Sequence, residues 1–185
     1  DREYENHSRS SPQVNGTLEN LDISSRKTLG VYTNPNRLVK GFFSEDETRA
    51  VGRSPLDIQI IDTSDFSHPF LLGSLQYNFS PLLSDWIVSK DTNILFMALL
   101  DADPSSWINI RIYNISNPLD IGEIVSFSLN TSISIKMMLS KDEKALFLVH
   151  SNLTIYDLSD ISSPKILSST PIQPGGSPLS FQLSS

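Results

Sequence analysis

The chain of 185 residues contains no cysteine. That excludes disulfides and thiolate-held metals, and it leaves the redox compartment open. Histidine is scarce too. His7, His68 and His150 stand far apart, a poor basis for a zinc site or a Ser-His-Asp triad. Positive charge is short, with 14 Lys and Arg against 21 Asp and Glu and a net charge of -7. No basic cluster exists to neutralise phosphates, so nucleic acid is not an expected partner. Long apolar runs are missing as well. The longest, Ile94 to Leu100, is far below the roughly 20 residues of a membrane-spanning helix, so no membrane span is expected. The chain carries no signal-peptide pattern and opens at Asp1, from which a processed or trimmed start is expected. An apolar fraction of 38% with moderate charge belongs to a folded, globular chain.

What is present is a repeat. Ile60-Ile61-Asp62-Thr63-Ser64-Asp65, Ile112-Tyr113-Asn114-Ile115-Ser116-Asn117 and Ile155-Tyr156-Asp157-Leu158-Ser159-Asp160 share one pattern. Two apolar residues precede Asp or Asn, then come any residue, Ser, and Asp or Asn. A proline follows each copy at Pro69, Pro118 or Pro164, and a degenerate first copy is Leu21-Asp22-Ile23-Ser24-Ser25. The anchors Asp22, Asp62, Asn114 and Asp157 lie 40, 52 and 43 residues apart. A second landmark keeps the same beat. Ser44-Glu45-Asp46, Ser89-Lys90-Asp91 and Ser140-Lys141-Asp142 each separate two apolar stretches, and Leu183-Ser184 stands where a fourth should begin. The added length of one repeat falls between Asp101 and Trp107.

Four strands per repeat follow. Strand a spans 38–43, 82–88, 133–139 or 179–183, and the Ser-x-Asp turn follows it. Strand b spans 49–51, 94–99 or 145–149, strand c 56–62, 107–114 or 153–157, and strand d 70–75, 121–127 or 165–169. No segment holds a helical period, so the fold class is all-β. Strand c is apolar on alternate residues (Ile58 and Ile60, Ile110 and Ile112, Leu153 and Ile155), and Ile61, Tyr113 and Tyr156 add apolar bulk to its opposite face. Such a strand belongs in a sheet sandwiched between two others. The repeat proline cannot donate to a ladder and is expected to open strand d as the outer edge. A single repeat buries too few large side chains to offset the entropy of ordering itself, so stacking must supply the rest. The expectation is a β-propeller-like array of about four four-stranded antiparallel blades over residues 17–185, after a polar linker at 1–16. Either four blades close, with 17–32 and the C-terminal strand sharing one, or the array is an arc of a larger, incomplete ring.

The Ile-Ile-Asp-x-Ser-Asp…Pro…Leu-Leu-Gly-Ser pattern of residues 60–74 resembles the LVIVD repeat, a β-propeller repeat of extracellular and surface proteins. The likeness is good over 58–75, weaker over 110–124 and 153–168, and weakest over 18–30. Asn114 replaces the aspartate, and the glycine before strand c is missing throughout. The resemblance implies a secreted or surface propeller and no particular reaction.

Six Asn-x-Ser/Thr sequons occur, at Asn6, Asn15, Asn78, Asn114, Asn130 and Asn152. N-glycosylation is the reading they carry. Asn152 in the b–c turn and Asn78 and Asn130 in d–a connections suit a glycan best. Asn114, in the repeat turn, is expected to be least accessible. Asp101 and Asp103, with Ser105, offer oxygen ligands of the kind Ca²⁺ takes, but the glycine and distal glutamate of an EF-hand loop are absent, so a solvated loop is expected. The Asp62/Asp65 and Asp157/Asp160 pairs recur with the repeat and read as turn caps rather than acid–base carboxylates. Trp86 and Trp107 read as core, and His68 and His150 as surface. Strand a offers Asp85 and Lys136, too few carboxylates for a propeller glycoside hydrolase or lyase.

No catalytic residue and no cofactor are expected. The functional expectation is a non-enzymatic structural or interaction module of a secreted or cell-surface glycoprotein, as a subunit of an extracellular assembly such as a filament. Its partners would be further blades of the same chain, identical or related subunits, or glycans. The alternatives are a carbohydrate-active hydrolase or lyase, and a glycan or protein recognition domain using the 101–107 loop.

Overall fold

A computed structural model describes residues 17–22, 27–33, 38, 40–76, 83–100, 107–130 and 135–172. The first hairpin pairs β1 (Thr17–Asp22) with β2 (Lys27–Thr33). Three four-stranded antiparallel sheets follow, each a meander in chain order. The second blade holds β3 (Lys40–Phe43), β4 (Arg49–Arg53), β5 (Asp57–Asp62) and β6 (Phe70–Gln76). The third holds β7 (Leu83–Val88), β8 (Ile94–Leu100), β9 (Ile108–Asn114) and β10 (Gly122–Leu129), and the fourth β11 (Lys136–Leu139), β12 (Ala145–Val149), β13 (Asn152–Asp157) and β14 (Lys165–Pro171). These are strands a to d of the repeat, within two or three residues of the bounds the landmarks predict. The polar linker at 1–16 and the strand expected at 179–183 lie outside the described residues.

The blades pack face against face because their middle strands are apolar on both sides. In β8, Leu95, Met97 and Leu99 join Val51, Ile58 and Ile60 of the second blade in one core. The alternate residues Phe96 and Ala98 join Ile135, Met137, Leu146, Leu148 and Tyr156 of the fourth blade in another. One strand therefore serves two cores, and burying each such side chain is worth roughly 1.5–3 kcal/mol. Trp86 is buried on β7 and meets Phe42 edge-on, ring centroids 4.9 Å apart. The tryptophan at 107 differs from its expectation. It stands just before β9, beyond the last ladder pair, and is 42% exposed.

Strand d carries the same irregularity in all four copies. The c–d register slips by one residue just before each anchor, leaving Leu29, Leu72, Ile124 and Leu167 as the extra residues. A bulge there bends and twists the outer strand. Because β1 ends at Asp22 and shows this slip, β1 and β2 are strands c and d of the degenerate first copy. The proline expectation needs correcting. Pro69 and Pro164 do precede strand d, but Pro118 sits three residues earlier in its turn, and Ile121 takes the place before β10. Pro118 instead presses on the neighbouring blade, where a Cβ on Gly73 would overlap its carbonyl oxygen.

That close approach makes a testable difference between two glycines. Gly73→Ala should lower stability by about 1–3 kcal/mol through overpacking between blades. Gly122→Ala meets open space and should shift it by no more than about 0.5 kcal/mol. Urea midpoints followed by tryptophan fluorescence measure both; equal midpoints for the two variants would contradict the contact.

Candidate functional site

The a–b turns of the three complete blades share one construction. Ser44, Ser89 and Ser140 each donate from Oγ to the aspartate two residues on, at 2.6–2.7 Å. Each hydroxyl also accepts the amide of the residue that follows the turn, Arg49, Ile94 or Ala145. The fourth turn residue takes positive φ in every case, with Glu47 at 60°, Thr92 at 55° and Glu143 at 58°. Side chains other than glycine are uncommon in that region, so the serine–aspartate bonds hold the strained turn closed. At the c–d end a second pair of caps recurs. Asp62, Asn114 and Asp157 accept the amides of Ser64, Ser116 and Ser159. Asp65, Asn117 and Asp160 do the same one turn later. The paired aspartates are thus turn caps.

Between neighbouring a–b turns lies a depression of about 630 Å³, lined among others by Ser44, Arg49, Lys90, Asp91, Asn93 and Glu143. Its floor is an inter-blade clasp. Arg49 donates to Asn93 Oδ1 at 3.2 Å, to the Ser116 carbonyl at 3.4 Å and to the Ile115 carbonyl. Burial lowers its pKa from the ordinary guanidinium value, and Asp91 partly offsets this. The turns also join directly. The Glu45 amide donates to the Lys90 carbonyl at 2.9 Å, the Lys90 amide to Glu143 at 2.7 Å, and Lys90 Nζ to the Lys141 carbonyl.

A second feature lies along the strands a. Lys40, Asp85 and Lys136 each stand four residues before the repeat serine, so they occupy one position in three successive blades. Asp85, 8% exposed, accepts the Met137 amide of the next blade at 3.0 Å and lies 3.5 Å from Lys40 Nζ. Lys40 also donates to the Trp86 carbonyl and sits 4.7 Å over the Phe42 ring. The strand-a inventory of Asp85 and Lys136 therefore omits Lys40, which counting back from Ser44 would have found. Asp85 and the Lys40 ammonium group tie strands of neighbouring blades together, and Lys136 is exposed.

The sequons sort differently from the expectation. Asn114 is exposed, its Oδ1 accepting from Ser116, because the repeat turn projects from the sheet. Asn152 is not in a turn: it opens β13, is half-buried and donates to Ser169 at 3.2 Å. Asn130 is exposed directly after β10. Asn6, Asn15 and Asn78 lie outside the described residues, as do Asp101, Asp103 and Ser105. His68 is exposed and bonded to Asp65 at 3.0 Å. His150 is half-buried, and burial lowers its pKa. Among the described residues, no group of three or more His, Asp or Glu side chains is arranged to hold a metal ion.

Two predictions follow from the bonded carboxylates. Hydrogen bonds from Ser44, Ser140, Ser159 and Ser162 depress Asp46, Asp142, Asp157 and Asp160, and Ser67 with His68 holds Asp65 at about 2. For Asp91, burial is the largest influence and raises the pKa, but the bonds from Ser89 and Asn93 outweigh it. Folded pKa values below the unfolded 3.8 mean that the stabilisation is fully present above about pH 5 and drains away as pH falls through the folded values, for Asp65 about 2. Urea midpoints measured downward from pH 5 should decline through that window, and a flat profile would contradict the caps. Separately, Asp85→Ala leaves the buried Met137 amide unpaired and should cost about 1–3 kcal/mol, whereas Asp85→Asn keeps an acceptor and should cost less.

Comparison with known proteins bears on the fold alone. No family model and no curated protein matches the chain. A protein from Lactobacillus plantarum superposes with a TM-score of 0.64 at 14% identity, over 85% of this chain and 49% of that one. Hydrazine synthase of Kuenenia stuttgartiensis gives 0.63 at 13%, over 85% and 48%. The WD40 domain of Toxoplasma gondii coronin gives 0.60 at 11%, over 85% and 41%. The chain spans less than half the length of each. It is an all-β array of β-propeller blades.

Proposed function

We propose that this chain is a non-catalytic interaction module of a secreted or cell-surface glycoprotein, acting as a subunit of an extracellular assembly. The observation that carries the reading is the fate of the carboxylates. Asp46, Asp91 and Asp142 make the same bonds at the same turn position, as do Asp65 and Asp160 at theirs. A catalytic pair would break this repetition, because it needs carboxyl groups in unlike environments facing one substrate. The likeness of residues 60–74 to the LVIVD repeat supports the compartment, and exposed Asn114 and Asn130 supply places for sugar. A second reading, glycan or protein recognition, draws on exposed Trp107 beside the long b–c loop.

Expression through a eukaryotic secretory pathway tests the proposal. Intact mass should fall on enzymatic deglycosylation, and Asn130→Gln should remove one glycan from the untreated protein. A mass unchanged by deglycosylation would remove the secretory argument.

A further inference from the structure

Among the described residues, the a–b turn of the third blade is fastened to a blade on each side. From the second blade, the Glu45 amide donates to the Lys90 carbonyl at 2.9 Å, and Arg49 Nη1 donates to Asn93 Oδ1 at 3.2 Å. From the fourth, Glu143 Oε1 accepts the Lys90 amide at 2.7 Å, and the Lys141 carbonyl accepts from Lys90 Nζ. Lys90 thus meets both neighbours through its own backbone, with N–H and C=O on either side of one Cα. The turn between these contacts is closed by its own bonds. Ser89 Oγ donates to Asp91 at 2.6 Å and accepts the Ile94 amide at 2.9 Å. Asp91 accepts the Asn93 amide at 3.0 Å and its side-chain nitrogen at 2.8 Å. The Ser89 amide donates to the Ile94 carbonyl and the Thr92 amide to the Ser89 carbonyl, both at 2.9 Å. A segment held at so many points has few soft torsions left, so a pull on one side is passed on rather than absorbed. The place of Glu143 adds a separate argument. Its φ of 58° lies where glycine is the less strained residue, yet the side chain there reaches the third blade. Glu47, at the same turn position in the second blade, bonds through its backbone carbonyl to Thr63 of its own blade.

We propose that the Ser89–Asn93 turn is a relay coupling the joint between the second and third blades to the joint between the third and fourth. Glu143 is its positioning residue. Loosening one joint loosens the other, and the coupling is equal in both directions because it is a free energy shared by the two contacts. The depression between the turns is lined by Glu45, Arg49, Lys90 and Glu143, so a group entering it meets both joints at once. The relay is independent of the compartment and of sugar attachment.

Amide hydrogen exchange on the full chain, resolved residue by residue by NMR, reads the relay. Glu143→Ala removes the acceptor and keeps a Cβ at the left-handed position, so the backbone strain is unchanged. Exchange at Lys90 should then quicken about tenfold, and exchange at Glu45, in the second blade, about threefold or more. The amides of β4 and β5 should keep their wild-type rates, which separates coupling from a general loss of stability. Glu143→Gln keeps a neutral acceptor and should give smaller shifts at both amides, so the test stays readable if Glu143→Ala does not fold. Arg49→Met works from the other side and should quicken Lys90 although Glu143 is intact. Glu47→Ala should change neither amide. The proposal is overturned if Glu45 keeps its wild-type rate in the folded Glu143 variants, or if the β4 and β5 amides quicken as much as Glu45.

Discussion

Everything in this molecule depends on thin sheets borrowing stability from each other's faces. A four-stranded meander of this size has no interior of its own. Its apolar residues become a core only when a neighbour lies against them, which is why β8 and β12 are apolar in both phases of the alternation and strand c adds Ile61, Tyr113 or Tyr156 to its second face. β8 states the constraint most plainly: odd residues from Leu95 to Leu99 serve one neighbour, and Phe96 and Ala98 the other. A strand committed on both sides has no side chain left over for chemistry. Polar function is pushed to the strand ends and to the innermost strands.

At those ends the chain uses one small set of bonds repeatedly. Serine and aspartate close the a–b turn, two Asx caps close the c–d turn, and the Glu45 and Lys90 amides link the a–b turns of the second and third blades to the next blade. Arg49 adds a half-buried clasp between blades, its two terminal nitrogens donating to carbonyl and amide oxygens. The depression between these turns is lined by polar groups, several of them bonded across the blades. These bonds join one blade to the next.

Much of this was legible before any coordinates. The serine and anchor landmarks located the edges of twelve strands because both residue types cap turns by local bonds, and such bonds depend only on neighbours in sequence. The failures have the opposite character. Pro118 looked like a strand opener, yet its place is set by contact with Gly73 of another blade. Lys40 went uncounted, although register places it beside Asp85 across two blades. Asn114 looked shielded because it holds the aspartate's place in the repeat turn, but the capping bond uses only its oxygen and its side chain is exposed. Trp107 looked like core because it was expected to open strand c, and it lies one residue beyond the last pairing.

The amino-acid order by itself determined the repeat, its period, the turn chemistry and the demand for neighbours, since each of these is a local property or a sum over composition. Tertiary structure alone decided which apolar face meets which and which glycine must stay small. Those outcomes depend on residues some 40 to 50 positions apart coming into van der Waals contact, and no local pattern encodes the distance between two faces that have yet to meet.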